Sequence, residues 1–537
     1  MSEWTDPDCC RRGSQSDLRR SGRHSIVAGT VSVVLIAAAV TGGCNRSSEP
    51  AAPSAPVSSA TVSSEPPEFV RVFCGNCHLT PSPDTFPRDA WYAEVRRGFN
   101  FYTDSQRTDL KVPKFNDVVA WYRSAAPEHL PAPESPGRPE PDPQFQVQAI
   151  PSRSPTDPMV SSVLFLKQSN RAVSRLLLTD MRSGQVFEFD PRDLGAGKLL
   201  LQASHPASVT VFRPNSAEGR SLLVSDLGSE LPADHDKGKL SWISPAEPAS
   251  VTTLLQEVGR VAHADSADFD QDGDTDIVMA EFGWQKTGRI LLLEHTGSGP
   301  RQTDDHTSAD YAMHVLDSRH GGIHVPVGDL NADGLPDFAA LISQEFEVVE
   351  AFLSNGDLTF RKESILPAHD PAFGSSGIEL VDIDGDGDLD VLYTNGDTLD
   401  SMLLKHYHGV HLLINEGRFP FTARKILSLP GASDASAVDL DGDGDLDIVV
   451  TAFLPGQLHS QLAEPDYVTL CWLEQTDDAD FQPHVLERSL NGHVSVTVGD
   501  FNGDSAADIA VGNFSGQDWG KIWWNRMKSI DSETLLR

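Results

Sequence analysis

The sequence predicts a mostly β chain, a seven-bladed β-propeller preceded by a small α-helical segment and an export segment. Three observations predict the propeller. Five Asp-rich loops recur at a near-constant period, short β-branched runs follow them, and two further segments repeat the strand pattern without the acidic loop.

The bulk numbers set the frame. The chain has 537 residues, which suits one large repeat domain plus a smaller unit. Hydrophobic residues make up 39%, enough for a core but not for a polytopic membrane protein. The formal net charge is −36, and a surface that acidic repels phosphates, so no nucleic acid partner is expected. The acids are not spread as in a disordered tail. They cluster in short loops between apolar runs, the pattern of a cation-binding protein.

The loops begin at Asp268, Asp329, Asp382, Asp439 and Asp500, with steps of 61, 53, 57 and 61 residues (329−268, 382−329, 439−382, 500−439). One step is the length of a propeller blade and too long for a β-helix coil. Oxygen ligands stand at positions one, three, five and nine. They are Asp268, Asp270, Asp272 and Asp276; Asp329, Asn331, Asp333 and Asp337; Asp382, Asp384, Asp386 and Asp390; Asp439, Asp441, Asp443 and Asp447; and Asp500, Asn502, Asp504 and Asp508. A carbonyl at position seven can add a fifth ligand, and Gly at position six allows the sharp turn. Hard-oxygen sets of this kind suit Ca²⁺, and about four to five ions are expected. Any single loop could also be a solvated Asp-rich turn; five at this period argue against that. The flanks are strand-like (Ile277-Val-Met-Ala280, Ile448-Val-Val-Thr-Ala452) rather than helical, which excludes EF-hands.

The pattern resembles FG-GAP repeats, also called VCBS repeats, found in integrin α-subunits and many bacterial surface proteins. The resemblance covers residues 160–527 and implies that the Asp and Asn residues above ligate calcium. Two loops depart from the pattern: Pro336 stands at position eight of the second, and Ser505 replaces the turn glycine of the fifth. Two blades lack the acidic loop, one around Arg175–Phe189 and one from His205 to Ile243, where Phe212-Arg-Pro-Asn-Ser216 replaces it. Two plus five gives seven. Runs such as Lys239-Leu-Ser-Trp, Arg289-Ile-Leu-Leu, Leu470-Cys-Trp-Leu and Lys521-Ile-Trp-Trp are read as outer strands.

Residues 1–44 read as a signal peptide. Five arginines between residues 11 and 23 precede an apolar run from Ile26 to Val40, too short for a comfortable membrane span. The run ends Val40-Thr-Gly-Gly-Cys44, which resembles a bacterial lipobox with Thr41 in place of the usual Leu; the resemblance implies lipidation of Cys44. An uncleaved anchor and ordinary signal cleavage are the alternatives. All three place the rest of the chain outside the cytoplasm; the lipobox reading places it in the cell envelope, with the lipid anchor as its only membrane contact. Residues 45–67 form a Ser/Pro/Ala linker and 131–159 a Pro-rich linker; 528–537 are a tail.

Between the linkers, residues 68–130 hold Cys74-Gly-Asn-Cys77-His78. The motif resembles the haem-attachment site of c-type cytochromes. Two thiols three positions apart on a helical turn can reach two haem vinyl groups, and the adjacent imidazole can face the iron. The resemblance implies one covalent haem c held by Cys74, Cys77 and His78. A redox CxxC and half a zinc site are the alternatives. A helix is expected at Glu68–Phe73, and a second at Phe115–Tyr122 packing across it. No Met or His lies between Leu79 and Trp121, so a sixth iron ligand would be sought among Lys111, Lys114, Tyr92, Tyr102, His129 and Met159, or the face is open.

No nucleophile–base set stands at a diagnostic spacing, so no catalytic residue is assigned. Histidines near the inner strands (His205, His263, His324, His493) could ring a channel mouth or simply bond between blades. His406, His408 and His411 form a weaker metal candidate. Cys471 reads as a buried core thiol. Three functions follow: electron transfer or redox-partner docking, a binding module for protein or polysaccharide, and an oxidoreductase with its site on the propeller face.

Overall fold

The computed structural model describes residues 65–137, 144–154, 156–167, 174–212, 221–244, 250–297, 310–399, 401–476 and 480–526. The stretch read as a signal peptide, with Cys44, and residues 45–64 of the stretch read as the first linker lie outside the described residues. Among those described, no helix is long and apolar enough to cross a membrane.

Among the described residues twenty-nine strands form seven separate antiparallel sheets, each of four consecutive strands except where noted below. These are the blades of a seven-bladed propeller. Blade three is typical: Val261–Ala267, Asp276–Glu281, Arg289–His295 and Tyr311–Asp317 pair in order. In blade four the innermost strand is broken into Gly322–His324 and Val327–Gly328 around Pro326, which lacks an N–H for the ladder. The second strand of every acidic-loop blade is buried along its whole length, as in Asp390–Asn395 and Asp447–Ala452. Both of its faces press on neighbouring blades. The core therefore sits between blades: Phe212, Leu240 and Val261 with Ile277 and Leu291 between blades two and three, Phe269 and Val278 with Phe338 and Phe352 between three and four.

Two features differ from the sequence expectation. The strand Phe145–Ile150, inside the stretch read as linker 131–159, pairs antiparallel with Gly520–Asn525 and supplies the outer strand of blade seven. The ring thus closes by joining the start of the propeller chain to its end, and Trp519 Nε1 adds a bond to Asp180 Oδ2 of blade one at 3.3 Å. The runs read as outer strands (Gly238–Ile243, Arg289–His295, Tyr467–Gln475, Gly520–Asn525) are the third strands. They are apolar on both faces because a further strand covers them. The true outer strands, such as Val251–Val258 and Thr422–Ser428, begin with runs of consecutive exposed, mostly polar residues.

The helical segment has three helices: α1, Glu68–Cys74; α2, Trp91–Asp104; and α3, Phe115–Ala125. α2 was not expected. Its apolar positions Trp91, Val95 and Phe99 repeat every four residues and turn inward together. α3 packs chiefly on α2, where Trp91 and Tyr122 stack 3.9 Å apart, rather than across α1; α1 reaches the same cluster through Val70 and Cys74. That small core also takes Ala372 and Leu403 from blade five. Ser82 N–H donates to Asp370 Oδ2 at 2.6 Å, and the buried Lys405 ammonium lies 5.6 Å from the Phe86 ring while donating to Ala372 O. The helices therefore dock on loops that leave the second strand or enter the first. Those are the ends opposite the acidic loops, which join first strand to second.

Candidate functional site

Each acidic loop is shaped by the same set of bonds. The position-five N–H donates to the position-three side chain (Asp386 to Asp384 at 3.3 Å, Asp443 to Asp441 at 3.1 Å), and position seven donates to position five. The position-six N–H donates back to position one in four loops, as Gly273 does to Asp268 at 3.1 Å. Position six is left-handed, with φ of 92°, 86°, 99° and 106° at Gly273, Gly334, Gly387 and Gly444. Ser505 takes the same conformation at φ 74° and makes the same bond at 3.0 Å, so the fifth turn forms without its glycine. Position four is left-handed too, and there Gln271 and Ala332 bear the strain that Gly385, Gly442 and Gly503 avoid.

Three loops draw carboxylates together. In Asp268–Asp270–Asp276, Asp382–Asp384–Asp390 and Asp439–Asp441–Asp447, one oxygen from each residue lies within 4.8 Å of the others. These are positions one, three and nine. Position five, expected as a ligand, stands outside the group and is exposed. In the second and fifth loops the asparagine at position three turns its amide onto position five (Asn331 to Asp333 at 3.0 Å, Asn502 to Asp504 at 2.9 Å). Asp268 Oδ1 and Asp382 Oδ1 are buried with no hydrogen-bond partner among the described residues. Burial, with the neighbouring carboxylates adding to it, pushes Asp276 and Asp390 up to about 6 and Asp447 to about 7. Clustered, partly desolvated carboxylates with an idle oxygen fit a hard divalent cation.

Position nine does a second job that its spacing did not reveal. In all five loops its two oxygens accept backbone N–H groups, one from position two and one from the end of the third strand. For Asp447 these are Leu440 at 2.9 Å and Gln475 at 2.9 Å.

The CxxCH motif straddles the end of α1. Cys74 is half-buried beside Tyr122, and burial pushes its thiol up to about 11. Cys77 is exposed, with Arg107 Nη1 3.0 Å from its sulfur; Arg107 is itself held by Asp109 at 2.6 Å. His78 Nδ1 lies 2.6 Å from Leu79 O, which leaves Nε2 for another partner. Six of the large hydrophobic side chains exposed in the described chain fall within residues 69–112, among them Leu79, Tyr92, Phe101 and Val112. So short a stretch with that much bare apolar surface fits a segment built to pack on a flat apolar group. Of the candidate sixth ligands, Met159 is completely buried in the propeller core and the Tyr102 hydroxyl is engaged by Leu110, so neither is free; Lys111, Lys114, Tyr92 and His129 are accessible.

Compared with known proteins, residues 268–340, 329–393 and 394–450 match the FG-GAP-like repeat, which spans the first four acidic loops. The repeats are FG-GAP-like. No curated protein sequence matches the chain. Among solved structures, the chain is similar to a streptogramin B lyase (13% identity, 70% of this chain and 97% of that one, TM-score 0.44). It is also similar to virginiamycin B lyase from Staphylococcus aureus (12%, 71% and 98%, 0.43) and to an ancestral GH74 enzyme (10%, 69% and 48%, 0.45).

Within the FG-GAP-like ring, the recurrent histidines act mainly as links between blades. His263 Nδ1 meets the Val325 N–H at 3.3 Å, and its ring lies 5.3 Å from that of His324. Acids on the same strands do likewise: Asp265 accepts from Val327 and Asp434 from Val496, both at 3.0 Å. Burial, and for His263 the His324 charge, hold His263 near 3 and His324 near 4, so both are neutral. His493 is buried 3.5 Å from Glu487. His411 bonds Asn395 at 3.1 Å, and His406, His408 and His411 are not among the groups of side chains brought together for a metal.

Proposed function

We propose that this is an exported, lipid-anchored, calcium-binding FG-GAP propeller protein that carries one covalent haem c on its helical segment and serves electron transfer or redox-partner docking. The observation that carries it is the CxxCH at the end of α1, with Cys77 open to solvent and bare apolar side chains nearby. Cys74 and Cys77 would hold the haem by thioethers and His78 would face its iron. When bound, the haem supplies one-electron exchange. Arg107, held by Asp109, sets a positive charge beside Cys77. The acidic loops would hold calcium between the first two strands of their blades and stiffen the ring on which the helices sit. The propeller is then the docking body, and the −36 charge favours a basic partner.

The test is the visible spectrum of the chain made in a host that assembles haem c. A c-type spectrum, lost on changing both Cys74 and Cys77 to Ala while the propeller stays folded, is expected. A colourless, folded chain from that host would leave a binding module for protein or polysaccharide.

A further inference from the structure

On the face opposite the acidic loops, the N–H that follows each second strand donates to the carbonyl of the residue just ahead of the same blade's first strand. In blades four to seven that residue is glycine. In blades one to three it is Met159, His205 and Arg260. By the repeat of the ring, these three stand at equivalent places in adjacent blades, and two of them carry polar chemistry.

Arg260 is the anomaly. Its side chain is completely buried, and Nε, Nη1 and Nη2 all lack a hydrogen-bond partner among the described residues. The guanidinium carbon lies 5.3 Å from the Phe282 ring, which is itself buried. A cation–π contact does not replace five N–H bonds, and an unpaired buried guanidinium is strongly unfavourable. No acceptor bonds it among the described residues, and the nearby His205 and His235 have their pKa values held down, first by burial and also by the Arg260 charge. A buried fork of donors with no acceptor among the described residues is half of an ion pair.

We propose that Arg260 anchors a binding site for a small monocarboxylate on the propeller face opposite the acidic loops, with His205 and His235 beside it. The planar fork matches a carboxylate in bidentate fashion. A single positive charge is balanced by a monoanion, whereas a phosphate dianion would leave net charge buried. Phe282, buried against the guanidinium, makes this side of the site apolar. The site is separate from the haem segment and from the calcium loops, and stands whether or not either is loaded.

The experiment is thermal melting of the full chain in millimolar calcium, titrated with sodium acetate or benzoate against sodium chloride and sodium phosphate at equal ionic strength. Wild type should show a rise in Tm that saturates with carboxylate and exceeds both controls. Arg260→Met should melt no lower than wild type in chloride and should not respond to carboxylate. Arg260→Lys, which keeps the charge and loses the fork, should need about tenfold more carboxylate for the same shift; it serves as the comparison if the methionine variant does not fold. The proposal falls if carboxylates do no more than chloride, if phosphate does as much, or if the Arg260 variants respond like wild type.

Discussion

Asp390 Oδ1 accepts the Asn415 backbone N–H at 2.7 Å, and through that bond the acidic loop of blade five holds the end of its own third strand. Asn415 passes the link onward: its side-chain amide donates to Leu330 O of the preceding blade at 3.1 Å. Asp508, Asn525 and Leu440 repeat the arrangement, with Asn525 donating to Leu440 O at 2.7 Å. The position-nine carboxylate is therefore a joint of the ring as well as a member of the carboxylate group proposed to hold a cation.

Asp390→Ala should destabilise the chain by roughly 2–5 kcal/mol even in chelator, because the buried Ile383 and Asn415 N–H groups lose their acceptor. Asp390→Asn, which keeps one acceptor oxygen, should lose less. Denaturant unfolding in chelator measures both, and an Asp390→Ala midpoint equal to wild type would remove the joint.

Calcium should raise Tm strongly, since a site filled at 100-fold excess over Kd adds about 2.7 kcal/mol. Asp384→Ala and Asp441→Ala, inside carboxylate groups, should cut the calcium-induced shift; Asp386→Ala, outside its group, should cut it less. Melting scans with calcium and with chelator check this, and equal melting in the two would rule out calcium sites.

A pH effect follows from Glu379, whose carboxyl is pushed up to about 8 by burial, with the Asp434 charge adding to it. Unfolded, the same group ionises near 4.3. The folded chain keeps a proton that the unfolded chain has released, so this group's contribution to stability is intact below about pH 4 and declines as pH rises toward 8. Glu379→Gln should thus gain on wild type steadily from pH 5 to pH 8. A difference between the two that does not change with pH would contradict this assignment.

Ser505→Gly should stabilise the fifth loop by up to about 1 kcal/mol, because a left-handed φ of 74° strains a residue with a side chain. Urea unfolding midpoints compare the two, and no gain would mean the serine is at ease there.

Much of the fold was legible because the loop period is a covalent fact of the chain: five Asp clusters and two loopless repeats gave seven blades. Four things were hidden. The strand Phe145–Ile150 has no loop to mark it and finds its partner nearly four hundred residues away, in blade seven. Third strands read as outer ones because apolarity on both faces does not say which side is covered. At the site, residue types at fixed spacing marked the loops but could not separate position nine, bonded to two backbone amides, from position five, which faces solvent. Arg260 gave no signal at all, since an unpaired charge is a property of its surroundings.

The measurement that bears most directly on the account is the intact mass of the denatured, reduced chain made in a host that assembles haem c. The account predicts a single covalent addition of one haem, mapping to the peptide that holds Cys74 and Cys77 and absent when both are alanine. A chain that carries no addition, with both thiols free to react with an alkylating reagent, would contradict it.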